Sequence, residues 1–246
     1  MSQAAGHPGA TPPSLPPALR PGPPVVAAAL STWLRYLVPL TLLSAIAVSP
    51  ALVLALRARP PLDPAGARAA LTLGWEMIGL AAFGQLILVG GAAAVTRARP
   101  SQLRALGGGL MQLARAIVPC LAAVAAIALG GLALVVPGLV LFVLLALTGA
   151  SPARGVPAAL ADSIAAARAQ LPATALAVFA MLAIDVAIGV AAQRAFLVPL
   201  PRQPAPAQLA QLRLFVHVIA LALVILSPLP ATVLATIRTR AAPPPA

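Results

Sequence analysis

From Ala116 to Ala150 the chain carries no charged side chain: AIVPCLAAVAAIALGGLALVVPGLVLFVLLALTGA. As helix this run would extend about 52 Å, against a hydrocarbon core of about 30 Å. It is too long for one membrane span and short for two full ones. A tight hairpin of two short helices fits. Its turn is expected near Gly130-Gly131, because glycine tolerates backbone angles that other residues avoid. A water-soluble fold leaves no such length of apolar surface unbroken, so the chain reads as an integral membrane protein.

The remainder agrees. Of 246 residues, 61% are hydrophobic and 8% charged, with a mean hydropathy of +1.01. Soluble domains carry about a quarter charged residues. The predicted fold class is all-α: a polytopic membrane helix bundle with spans at 37–56, 71–95, 116–132, 133–150, 171–192 and 214–237. Pro39 and Pro50 fall inside the first of these and Pro228 and Pro230 inside the last, where each removes a helix hydrogen bond and predicts a kink. Two interfacial amphipathic helices are expected between spans, at 97–115 and 151–170, each with an apolar stripe at helical spacing. In the first, Gly107-Gly108-Gly109 lowers helix propensity by roughly 3 kcal/mol and predicts a break into short turns. The bundle occupies 25–240. Residues 1–24, dense in proline and glycine, and the tail 241–246 read as disordered.

The formal charge of +12 resembles a nucleic-acid signature, but its distribution argues otherwise. All sixteen basic residues are arginines, placed singly or in pairs at the ends of apolar runs. That pattern serves topology and contacts with anionic headgroups, and no nucleic-acid partner is expected. Under six spans, ten arginines fall on the side of both termini and six on the other, which predicts cytoplasmic N and C termini. The absence of lysine amid so much Ala, Gly, Pro and Arg points to a GC-rich bacterial genome, hence a bacterial inner membrane.

Soluble-enzyme chemistry finds no material. Cys120 is the single cysteine, which excludes an intramolecular disulfide, and it sits in apolar sequence as a small hydrophobe. Two histidines and four acids on distant segments make no metal-ligand spacing, and no phosphate loop, HExxH pair or GxSxG elbow occurs. No catalytic residue, metal or cofactor is therefore predicted. Two acids lie at membrane depth, where ionisable groups are costly and face the bundle interior. One reading joins Glu76, Asp185 and His217 in an outer-leaflet polar cluster with Arg194 or Arg213 as counter-charge, serving as a proton relay or headgroup site. The other has Glu76 and His217 snorkelling to water and Asp185 making a helix–helix hydrogen bond. On the fifth span Thr174, Ala177, Asp185, Gly189 and Gln193 share one face, which predicts that this face packs inward.

At VVPGLVLFVLLALTGASPARGVPAALADSIAAARAQLPATALAVF the chain resembles the membrane domain attached to some bacterial glycerophosphodiester phosphodiesterases and the related stand-alone YciC-like proteins. Pro137-Gly138 early in a span, Ser151-Pro152 at its end, and Ala159 with Ser163 on a cytoplasmic helix carry the likeness. RARPSQLRALGGGLMQLARAIVP resembles the helix leading into the third span. ATVLATIRTR resembles the closing segment, without the tyrosine and acid that usually precede its arginines. The resemblance implies six spans and an inner-membrane location. It brings no catalytic residues, because the phosphodiesterase's metal ligands belong to a soluble domain. The function expected from all this is a non-enzymatic membrane module that associates with membrane lipids, with protein partners, or with a second copy of itself. The alternative is a small transporter or channel component that uses the outer polar cluster.

Overall fold

The computed structural model describes residues 24–57, 64–97, 101–197 and 205–241. The expected disorder of the tail before residue 24 and beyond 241, and the loop carrying Asp63, lie outside the described residues. Within them the chain is all α-helical: α1 (Val25–Arg35), α2 (Leu37–Ala47), α3 (Ser49–Arg57), α4 (Pro64–Arg97), α5 (Gln102–Ala133), α6 (Val135–Leu145), α7 (Val156–Ala169), α8 (Leu171–Ala192), α9 (Ala205–Leu226) and α10 (Pro228–Ala241). A 3₁₀ turn (Thr148–Ala150) follows α6 and a π turn (Gln193–Leu197) follows α8. The protein is a multi-pass membrane helix bundle.

Proline sets where these helices start. Pro39, Pro50, Pro64, Pro137, Pro157, Pro172, Pro228 and Pro230 all fall in the first three residues of a helix. At a helix start the missing N–H has no intrahelical partner and proline is well tolerated, though at 228 and 230 it also removes the amides that would have bonded the Val224 and Leu226 carbonyls. The kinks expected inside spans 37–56 and 214–237 take the form of one-residue helix breaks just ahead of the prolines. The first of these breaks at Tyr36 and again at Val48. Helices α1 and α2 meet at 91°, and α3 starts afresh. The last breaks at Ser227, between α9 and α10.

Four runs are long and apolar enough to cross a membrane: Arg68–Arg97, Gln102–Leu132, Leu171–Phe196 and Ala210–Arg240. They match the second, third, fifth and sixth expected spans. The fourth is the shorter apolar piece Val135–Ala150, and the bent pair α1–α2 stands near the place of the first. The helix expected at 97–115 is not separate. Ser101 caps α5 by accepting from the Arg104 amide, and the helix then runs unbroken through the glycine triplet into the third span. Packing outweighs propensity here. Gly109 lies under Leu43 of α2, and a Cβ at 109 would approach Leu43 Cδ1 to 2.5 Å. The 151–170 helix is present as α7, opened by Gly155 at φ 88°.

Helix α4 is the axis of the bundle. Its most apolar window is 72% buried, against 22% for that of α5. One apolar core packs around α4 residues 86–95 and holds Leu40, Leu43, Leu147, Met181 and Leu234. A second packs around Met77 and Ala81 and holds Phe215, Ile219 and Leu223. Gln85 falls between them. On the opposite side of the molecule α5 and α6 form the expected hairpin, but the turn is at Leu134 (φ −166°, ψ 148°), not at the glycines. Gly130 and Gly131 stay helical and face Gly138 of α6, where a Cβ would stand 2.8 Å from the Gly131 Cα. They permit close approach rather than a turn. Further down, α6 and its 3₁₀ turn reach α4, and a Cβ on Gly90 would collide with the Gly149 carbonyl.

Candidate functional site

Two polar features interrupt the apolar interior. The first is a buried centre on three segments. Gln85 of α4 donates through Nε2 to Asp185 Oδ1 of α8 (2.9 Å) and to Ser227 Oγ at the α9–α10 break (3.0 Å). Gln85 is 1% exposed, Asp185 2% and Ser227 2%, so solvent does not reach them. Both amide hydrogens of Gln85 are therefore used, and Gln85 Oε1 and Asp185 Oδ2 are left without a partner. In a low-dielectric interior such orphaned oxygens are costly and call for an explanation.

Asp185 thus pairs with Gln85, which also binds Ser227, rather than with Glu76 or His217. Glu76 and Arg194 are exposed on their own segments. His217 is exposed as well, and its Nδ1 donates to the Arg213 carbonyl one turn back (2.6 Å). Arg213 is exposed on α9. The inward face of α8 is as expected for Thr174, Ala177, Asp185 and Gly189, all buried. Sequence reasoning missed Gln85 as the partner of Asp185 and Ser227 as the second acceptor on Gln85. Gln85 is an amide amid an otherwise apolar stretch of α4, and Ser227 directly precedes Pro228; these are the signals that mark them.

The second feature is a cavity of about 630 Å³ where α4, α5, the 3₁₀ turn and the start of α7 converge. Arg97, Arg115 and Arg154 line it, with Gln112, Thr148 and Ser151. Each element is fixed in place by a polar contact. Gln112 Nε2 of α5 donates to the Gly149 carbonyl (3.2 Å), which holds α5 against the 3₁₀ turn. Ser163 of α7, buried, donates to the Leu144 carbonyl at the end of α6 (2.9 Å). Asp162 of α7 accepts from Ser151 Oγ (2.6 Å) and from Arg238 Nη2 of α10 (2.7 Å). The cavity is therefore framed by side chains on four segments, and its three guanidinium-bearing residues are all solvent-exposed. Such a setting suits a phosphate or another oxyanion, which guanidinium binds bidentately.

Of the positions that carry the family resemblance, Gly138 packs on Gly131, Ser163 ties α7 to α6, and Pro137 stands in the first turn of α6. All three are structural in this fold. Comparison of the chain with protein-family models, with curated proteins and with solved structures finds no match in any of them.

Proposed function

We propose that this chain is a non-enzymatic bacterial inner-membrane module that binds anionic lipid headgroups at its cytoplasmic end. The basic cavity is the observation that carries this reading. Arg97 at the end of α4, Arg115 on α5 and Arg154 in the loop before α7 converge there, beside a bundle whose α5 window is only 22% buried. Lipid phosphate lies at that depth, and basic side chains next to spans recognise it electrostatically. The excess of arginine on the same side supports a cytoplasmic location for this end and for both termini. The resemblance to the phosphodiesterase membrane domain and the YciC-like proteins is in keeping with a module that serves lipid rather than transforming it.

The test is native mass spectrometry in a mild neutral detergent, with phosphatidylglycerol, cardiolipin or phosphatidylcholine added. The wild type is expected to retain anionic lipid in preference to phosphatidylcholine. Arg97→Gln/Arg115→Gln/Arg154→Gln is expected to lose that preference by about tenfold, each removed contact being worth roughly 0.5–1 kcal/mol at an exposed site. Equal retention of all three lipids by the wild type, or an unchanged preference in the triple variant, refutes the reading.

A further inference from the structure

We propose that Gln85, Asp185 and Ser227 frame a binding site for one dehydrated alkali-metal cation, sodium by size and charge. The case starts from charge. Asp185 is 2% exposed, its Oδ1 accepts from a neutral amide and its Oδ2 has no partner. A carboxyl kept so either holds a proton or, once ionised, needs a compensating positive charge. Along their own helices Arg68 and Arg97 stand about 26 and 18 Å from Gln85, Arg213 about 21 Å from Ser227 and Arg194 about 14 Å from Asp185, while Arg238 is paired with Asp162 of α7.

The surrounding atoms are of one chemical kind. Gln85 is pinned with both amide hydrogens committed to Asp185 and Ser227, so its orphaned Oε1 is held one bond angle away from the carboxylate. Reversing the amide would set carbonyl against carboxylate, so the orientation is dictated chemically. Ser227 adds a hydroxyl oxygen. Pro228 and Pro230 have no N–H, so the carbonyls of Val224 and Leu226 lack the amide that would close their helical bonds. Oxygen donors with no thiolate or imidazole select a hard cation. A single carboxylate matches a single positive charge, whereas calcium sites use several carboxylates. An acid oxygen and an amide oxygen left unpaired next to a proline-interrupted helix are a physically sound setting for sodium at membrane depth. The site is distinct from the basic cavity, because Gln85 lies about 18 Å along α4 from Arg97.

Two measurements on the full chain in neutral detergent at pH 8 test this. The first follows thermal unfolding with a thiol-reactive fluorophore, which reports on Cys120, buried and the single cysteine of the chain. At constant ionic strength, replacing choline with sodium is expected to raise the wild-type midpoint by several degrees, saturably. Asp185→Asn keeps an oxygen for Gln85 and removes the charge, and is expected to lose that rise. The second is equilibrium binding of radioactive sodium, displaced by unlabelled sodium and not by choline, and reduced at least tenfold in Asp185→Asn or Gln85→Ala. Should a variant fail to fold, the wild-type isotherm decides alone. An unfolding midpoint indifferent to the cation together with no displaceable sodium overturns the proposal. So does an undiminished sodium response in folded Asp185→Asn.

Discussion

Gln85 uses one amide group to join three helical segments that are distant in sequence. Replacing it with leucine removes both hydrogen bonds and leaves Asp185 with two unpaired buried oxygens. Gln85→Leu is expected to destabilise the bundle by about 2–4 kcal/mol. Asp185→Leu alone should cost a similar amount. The pair Gln85→Leu/Asp185→Leu should cost less than the sum by about 1 kcal/mol or more, since neither partner then remains buried and unsatisfied. Unfolding of the four proteins in a denaturing-detergent titration checks this, and strict additivity would refute the coupling. At this scale the sequence could be read only halfway. An acid inside an apolar helix announces itself by its desolvation cost, so Asp185 stood out. Its partner did not, because Gln85 is 100 residues away and nothing in spacing connects α4 to α8. Glu76 and His217 stood out for the same reason as Asp185 but occupy exposed faces of α4 and α9 and take no part in the buried centre.

Among the helices the outcome was decided by backbone proximity. In α5 the glycine triplet predicts a break, yet a Cβ at Gly107 or Gly108 would meet nothing within 4 Å, while one at Gly109 would strike Leu43. Gly107→Ala is therefore expected to stabilise the protein by about 0.5–1 kcal/mol, through helix propensity and a less flexible unfolded chain. Gly138→Val, which forces a β-branched side chain against Gly131, is expected to cost about 1–3 kcal/mol. Differential scanning calorimetry of both variants measures the two signs together. The span positions of α4, α8 and the α9–α10 run were legible because hydropathy is a property of a single segment. The continuity of α5 through its glycine triplet and the turn at Leu134 were not. Both depend on which residues of another helix stand opposite, whereas the breaks at Val48 and Ser227 fall just ahead of the prolines that suggested them.

Across the molecule, the arginines flank the long apolar runs, and the apolar surface lies between them. Several leucines and valines at the tip of the α5–α6 hairpin are largely exposed, with Leu132 at 84% and Val135 at 73%. Arg115 and Ala133 are about 27 Å apart along α5, close to the thickness of the hydrocarbon core. With Arg115 at the headgroups, the tip reaches the far edge of the lipid and the first part of α5 stands beyond the near one. A green fluorescent protein fused after residue 246 is expected to fluoresce and a periplasmic phosphatase to be inactive at the same position; the converse would invert the orientation proposed for the termini.

The return arm of that hairpin, Val135–Ala150, is roughly 24 Å long and closes against α4 through Gly149. Its partner arm is fully long enough and its own is not, so the two flanks of one molecule demand different thicknesses of the same lipid. The leaflet must dip along α6, and its elastic deformation acts as a load that grows with acyl-chain length. A chain with this shape is drawn toward thin, fluid patches and excluded from thick, ordered ones.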